Sequence, residues 1–458
     1  MFLYRIFVTI SILVLFPVFF YSVSFDGVQL YVLPLAFTFW LLISKNVFTK
    51  YKKSIVFKIF LLTAFARYSL LPFFYYSQNS YLSLSGTTTE LNLSMAIMLF
   101  ELLACGLCFF YFANRQQQAL NDEITPSIFF ENKLTVLFAL TVIVFYLLGT
   151  GVFNKVNFIW NLQEFAEAQM DGDVAEVAGY GEIMFLIFRV IIVLLLLTFV
   201  YRSKITEAVK PYLYLFIVAA SSTVMIGMSR LSMLLFALPL LVLVNKIVPS
   251  NMVKRMKAIN IILLMVFTIL VLFSSYIKFA RYNQDLQLSQ VVTASSLNSY
   301  FTGVGAIAGG ISSAYDSSAF KSPYFIFNDI IKNFPGLAKF SDNKYISSTS
   351  YNRDVLGHEL WADKIIPLSV TGIYHFGLFG IGFYHVLFIS LALLFERFSC
   401  KEHYIGYKYL YIDLSIKLSL VFMLNIGSFF AMFPRSFLFV FLPLLFIRTM
   451  RIKVGSKL

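Results

Sequence analysis

Charge is scarce in this chain. Asp, Glu, Lys and Arg together make up 13% of 458 residues, against roughly 25% in soluble globular domains. That shortage excludes an ordinary water-soluble globule. Strand-like alternation of apolar and polar residues is missing too, which argues against a β-barrel. Three cysteines, Cys105, Cys108 and Cys400, make no disulfide framework. Cys105 and Cys108 have CxxC spacing, but inside an apolar segment they read as small packing residues. No HExxH, no DxD and no pair of histidines at ligand spacing occurs, so no metal site and no cofactor is indicated.

What fills the chain is apolar. Hydrophobic residues account for 59% of it and aromatics for 18%. Runs of about 20 apolar residues recur, long enough to cross ~30 Å of hydrocarbon as helices. Spans are expected near 5–24, 28–44, 55–76, 93–113, 134–152, 182–201, 212–228, 231–247, 259–277, 378–396, 411–430 and 434–448. The fold class is therefore all-α, a polytopic transmembrane bundle of about twelve spans. The first run follows a basic residue, as in a signal peptide, but no small-residue cleavage site follows it. It is read as a retained helix.

The net charge of +13 would suggest nucleic acid in a soluble protein. Here Lys and Arg cluster in alternate short loops, so they set topology and no nucleic-acid partner is expected. The positive-inside rule places both termini in the cytoplasm. Three regions follow: an N-terminal bundle, 1–277; a large external loop, 278–377; and C-terminal helices, 378–458. The loop is far longer than ordinary connections. It should start with a helix and pass through a Gly/Ser-rich run, GVGAIAGGISSAYDSS. A second external segment, 153–181, is acidic.

Five of the ionisable residues in or at the edges of spans are singled out as functional candidates. Arg67 and Glu101 sit near mid-depth on sequential helices, where they can neutralise one another. Arg189, Arg230 and Arg435 lie towards the external ends of theirs. Snorkelling explains each singly. Together they suggest an anion site, since guanidinium binds phosphate bidentately and keeps its proton. Arg281 and Arg353 of the large loop are candidates to complete it, with a diphosphate as an apt ligand.

Two stretches then point to a family. One is the turn Gly227-Met228-Ser229-Arg230. The other is IIPLSVTGIYHFGLFGIGFYHVLF, with Pro367, Gly372, Tyr374, Phe376, Gly377, Leu378 and Gly380. With many short spans and one large external loop, they resemble the O-antigen polymerases, the Wzy-type glycosyltransferases. In that family a comparable segment re-enters the membrane before the next span. Many relatives carry Glu after the first Gly, where this chain has Ile373. Arg230-Leu-Ser-Met-Leu234 also fits a pattern of the related O-antigen ligases.

The resemblance implies a GT-C-like bundle in the bacterial inner membrane and metal-independent glycosyl transfer at its periplasmic face. Donor and acceptor would both be undecaprenyl-diphosphate-linked oligosaccharides, with membrane lipid and a chain-length regulator protein as partners. A ligase, or a flippase for lipid-linked oligosaccharide, are the competing functions. Transfer needs fixed cations for the leaving diphosphate and a base for the acceptor hydroxyl. The segment YNRDVLGHELWADK offers that base. In a helix Asp354 and His358 lie one turn apart, and Glu359 is an alternative to His358. Ser369, Tyr374 and His375 are candidates for binding substrate. The competing reading of the charged segment is a solvated helix face.

Overall fold

The computed structural model describes residues 2–15, 29–78, 87–127, 133–150, 152–158, 179–226, 230–248, 293–316, 323–334, 336–356 and 365–449. Among them the fold is all-α apart from one two-stranded ladder. Among the described residues four helices are long and apolar enough to cross a membrane: Ile55–Ser77, Thr89–Asn121, Met184–Arg202 and Phe383–Lys401. Inside a bilayer a helix satisfies every backbone group internally, so apolar runs adopt this form. Rings such as Phe39, Phe110, Phe145, Phe199 and Phe216 stay exposed, a liability in water that lipid removes. The expected span 259–277, the loop start 278–292 and most of 153–181 lie outside the described residues.

The chain divides into two compact units. The first comprises Met1–Asp122, Val292–Arg397 and Ser415–Phe433. It opens with α1 (Phe2–Leu15), α2 (Val32–Ile43) and α3 (Lys45–Lys50). Helix α4 (Ile55–Phe65) then continues through a π-turn, Ala66–Leu70, into α5 (Leu71–Ser77). Pro72 has no N–H and its ring crowds the preceding turn. Widening that turn, with the Leu71 amide reaching back to the Ala66 carbonyl, accommodates the proline without ending the helix.

Helix α6 (Thr88–Asn121) starts at a capping box. The Thr87 hydroxyl accepts from the Glu90 amide, and the Glu90 carboxylate accepts from the Thr87 amide. The start of α4 is satisfied differently. Glu396 is buried and accepts from the Ile55 amide at 2.6 Å, the Ser54 hydroxyl at 2.6 Å and the Gln116 amide group at 2.5 Å. A carboxylate at a helix N-terminus meets both orphan donors and the positive end of the dipole.

Four helices follow in the stretch read from sequence as a loop: α11 (Ala294–Phe301), α12 (Val304–Asp316), α13 (Tyr324–Lys332) and α14 (Ser347–Leu356). Between them and α6, the second unit supplies α7 to α10, given below. The Gly/Ser-rich run is thus a helix, not an irregular connection. Val304, Ile307, Ala308, Ile311 and Ala314 are buried at helical spacing, and α12 packs along α6. Its small residues allow close approach. A Cβ on Gly310 would lie 2.6 Å from the Val370 side chain.

The unit closes with α15 (Leu368–Phe376), a 3₁₀ turn Gly377–Gly380, α16 (Phe383–Lys401) and the chain after Ser415. The expected span 411–430 is interrupted. Helix α17 (Ile405–Leu418) ends, and α18 (Ile426–Ser436) begins afresh. Asn425 explains the restart, because its side chain accepts from the Ser428 amide at 2.8 Å as an N-cap. Pro434 does not break α18. A second π-turn, Phe437–Phe441, carries the helix on into α19 (Leu442–Thr449), just ahead of Pro443.

The second unit comprises Glu123–Val291, Phe398–Leu414 and Pro434–Leu458. Helices α7 (Lys133–Thr150), α8 (Gly179–Arg202), α9 (Lys210–Ser222) and α10 (Arg230–Ile247) pack in sequence. Strands β1 (Val156–Phe158) and β2 (Val224–Ile226) pair antiparallel, with Asn157 opposite Met225. The sequence reading anticipated no strands here. A small core of Leu147, Val152 and Phe185 seals the ladder against α7 and α8.

Candidate functional site

The segment that carried the family resemblance forms a short buried helix doubled back on itself. Helix α15 has nine residues, too few to span a bilayer, and Leu368 through His375 are buried. Gly377 ends it at φ 64°, a conformation open to glycine. The returning 3₁₀ turn touches α15 backbone to backbone: a Cβ on Gly372 would lie 2.1 Å from the Gly380 carbonyl oxygen. Gly372 and Gly380 thus have a steric role in this chain.

Three polar chains leave α15. The first starts at Ser369, whose hydroxyl donates to the Glu101 carboxylate. Glu101 also accepts from Arg67 at 2.7 Å, both side chains being fully buried. Arg67 further donates to Thr302 at 3.4 Å and lies 4.7 Å from the Phe422 ring centre. The expected Arg67–Glu101 neutralisation is therefore present, and it anchors α15 and the head of α12 at one level of the bundle. His385 is buried beside it with Nε2 3.8 Å from Glu101. Among the described residues neither of its ring nitrogens has a hydrogen-bond partner.

The second chain starts at Tyr374. Its phenol hydrogen-bonds the Ser313 hydroxyl, and Ser313 donates to Asp354 at 2.8 Å. The other Asp354 oxygen accepts from Arg353 Nε at 2.9 Å. Asp354 is thus engaged by Arg353 and Ser313. Its expected helical partners His358 and Glu359 lie outside the described residues. Nearby, Tyr351 donates to the Ala306 carbonyl at 3.0 Å. Burial pushes that phenol's pKa up, so it remains a donor.

The third chain is the best prepared for proton transfer. His375 Nε2 lies 2.8 Å from Asp329 Oδ2, and its Nδ1 lies 2.5 Å from the Tyr384 hydroxyl. Asp329 is held by the Ser347 amide at 3.2 Å and hydroxyl at 2.6 Å. A carboxylate only accepts, so Nε2 carries the imidazole proton and Nδ1 accepts from Tyr384. The carboxylate then fixes the tautomer and steadies a positive imidazole. His375, a candidate for binding substrate, is buried with its two ring nitrogens bonded to Asp329 and Tyr384.

Asp329 and Tyr384 escaped the sequence reading. Asp329 sits four residues after Phe325, and both are buried on one face of α13. That spacing was the sole signal. Among the described residues, no group of three or more His, Cys, Asp or Glu side chains could hold a metal ion.

The arginines divide. Arg189 in α8 is buried, donates from Nε to the Ser221 carbonyl at 2.9 Å and lies 3.6 Å from the Phe236 ring centre. Its Nη2 is buried and has no hydrogen-bond partner among the described residues. Arg435 is exposed. Arg353 is partly exposed beside Asp354. Helix α10 begins at Arg230, but that side chain, like all of Arg281, lies outside the described residues.

Comparison with family models, with curated proteins and with solved structures gives no match to this chain.

Proposed function

We propose that this protein is a Wzy-type O-antigen polymerase, a metal-independent glycosyltransferase of the bacterial inner membrane with both termini in the cytoplasm. It moves a growing glycan from undecaprenyl diphosphate onto a sugar hydroxyl of a new lipid-linked repeat unit. One observation carries the reading. The segment resembling the family's re-entrant motif is a buried half-helix that presents His375 between Asp329 and Tyr384.

In the reaction the acceptor hydroxyl attacks the anomeric carbon as the bond to the diphosphate oxygen breaks. Its proton passes to the Tyr384 oxygen, while the Tyr384 proton passes to His375 Nδ1, leaving an imidazolium beside Asp329. Undecaprenyl diphosphate departs carrying the bond's electron pair. Guanidinium groups stabilise the charge it gains, with Arg230, Arg353, Arg189, Arg281 and Arg435 as the candidates. A chain-length regulator would act on the same protein as partner.

Glycan profiling of a deletion strain tests this. Single-repeat glycans on lipid A are the expected result. Bare core with long lipid-linked polymer would make the protein a ligase, and repeat units held on the cytoplasmic leaflet would make it a flippase. Complementation with Arg230→Ala and with His358→Ala against Glu359→Gln assigns the remaining candidates by chain length.

A further inference from the structure

A cavity of about 430 Å³ in the second unit is lined by Tyr201, Glu207, Lys210, Pro211, Tyr214, Ile247 and Val248. It falls within the usual range of small-ligand sites, about 300–1,000 Å³. The end of α8, the start of α9 and the end of α10 enclose it. None of its residues enters the glycosyl-transfer reading, so it stands independently of that proposal.

Its charges are of both signs. Lys210 is buried and donates to Glu207 Oε1 at 2.6 Å and to the Tyr201 carbonyl at 3.2 Å. An ammonium has three donors, so one remains for a ligand oxygen. That nitrogen also sits at the first turn of α9, where the helix dipole favours an anion and no side chain caps the end. Glu207 is 60% exposed in its side chain and keeps a second oxygen for a ligand cation. The Tyr201 ring, in the same lining, offers a cation an aromatic face.

The cavity also has a membrane address. Helix α8 is uncharged from Val190 to Tyr201 and ends at Arg202, and basic residues with tyrosines mark the headgroup level. Phe199, Tyr201, Val209, Tyr212 and Phe216 are exposed on α8, on α9 and between them, a surface suited to acyl chains.

We propose that this cavity binds the headgroup of a zwitterionic phospholipid of the phosphatidylethanolamine type. The phosphate takes the free Lys210 donor, and the ammonium takes Glu207 and the Tyr201 ring. A purely anionic headgroup would add negative charge to a Lys210–Glu207 pair that is already neutral and leave the second Glu207 oxygen without a cation.

Native mass spectrometry of the purified full-length protein, exchanged into micelles doped with equal phosphatidylethanolamine and phosphatidylglycerol, tests the assignment. The wild type should retain phosphatidylethanolamine in preference by roughly tenfold, the scale of one charge-assisted hydrogen bond. Glu207→Gln should bring that ratio near one. Val248→Trp, which fills the cavity without removing either charge, should abolish retention at unchanged elution volume. Equal retention of both lipids by the wild type overturns the proposal. So does a preference that survives either substitution, or full displacement of the lipid by soluble phosphoethanolamine.

Discussion

Gly372→Ala and Gly149→Ala are the same chemical change and should have opposite effects. At Gly372 the new methyl carbon would sit 2.1 Å from the Gly380 carbonyl oxygen, 2.7 Å from its carbonyl carbon and 3.2 Å from its Cα. All three are backbone atoms, so no rotamer change relieves the clash. Reaching ordinary contact requires the 3₁₀ turn to move by more than about 1 Å away from α15. Overpacking a rigid site costs about 1–3 kcal/mol, and a backbone obstacle belongs at the upper end. The helical preference of Ala over Gly returns roughly 0.5–1 kcal/mol, leaving a net loss of about 2 kcal/mol. At Gly149, in α7, nothing lies within 4 Å, so only the helical gain applies. Thermal unfolding of both variants in detergent, read by the fraction still monodisperse after heating, compares them directly. The midpoint should fall for Gly372→Ala and hold or rise for Gly149→Ala. A Gly372→Ala midpoint at or above that of the wild type would refute the close packing of α15 on its return turn.

Other contacts make separate forecasts. Glu101→Gln leaves Arg67 buried without its counter-charge and should destabilise by about 3–5 kcal/mol, whereas Arg67→Met with Glu101→Leu should recover much of that loss; chemical unfolding midpoints give the comparison. Glu396→Gln keeps the shape but weakens acceptance at the start of α4, and a loss of about 1–3 kcal/mol is expected. If the proposed relay operates, Asp329→Asn and Tyr384→Phe should each lower turnover of lipid-linked repeat units by roughly 10²–10⁴ while the amount of inserted protein is unchanged. Normal turnover in both would remove His375 from the proton path.

Legibility from sequence followed the physics of each feature. Long apolar runs at 55–77 and 383–401 show themselves because hydrocarbon thickness fixes their length. Arg67 and Glu101 were readable as a pair because an isolated charge at mid-depth is so costly. Helix α12 was not, since Gly and Ser signal loops in water yet serve as close-packing surfaces between membrane helices. The restart at Asn425 was hidden inside a continuous apolar stretch, where only a capping side chain distinguishes two helices from one. Asp329 carries no local mark of its function: its partners Ser347 and His375 are 18 and 46 residues away. The charged island YNRDVLGHELWADK was conspicuous for its composition, but nothing local marks the bond its Asp354 accepts from Ser313, 41 residues away, beside the one from its neighbour Arg353.

Glu396 also sets a clock. It is separated by 342 residues from Ser54, whose hydroxyl it accepts. A ribosome adding about 5–20 residues per second needs roughly 20 to 70 s to cover that interval. Throughout it the first amides of α4 are made but their carboxylate is not. The nascent first unit therefore waits, with one helix end lacking its carboxylate, for a residue made 342 positions later. A chain truncated before residue 396 keeps the Ser54 cap on the Phe57 amide but leaves the Ile55 amide without its carboxylate.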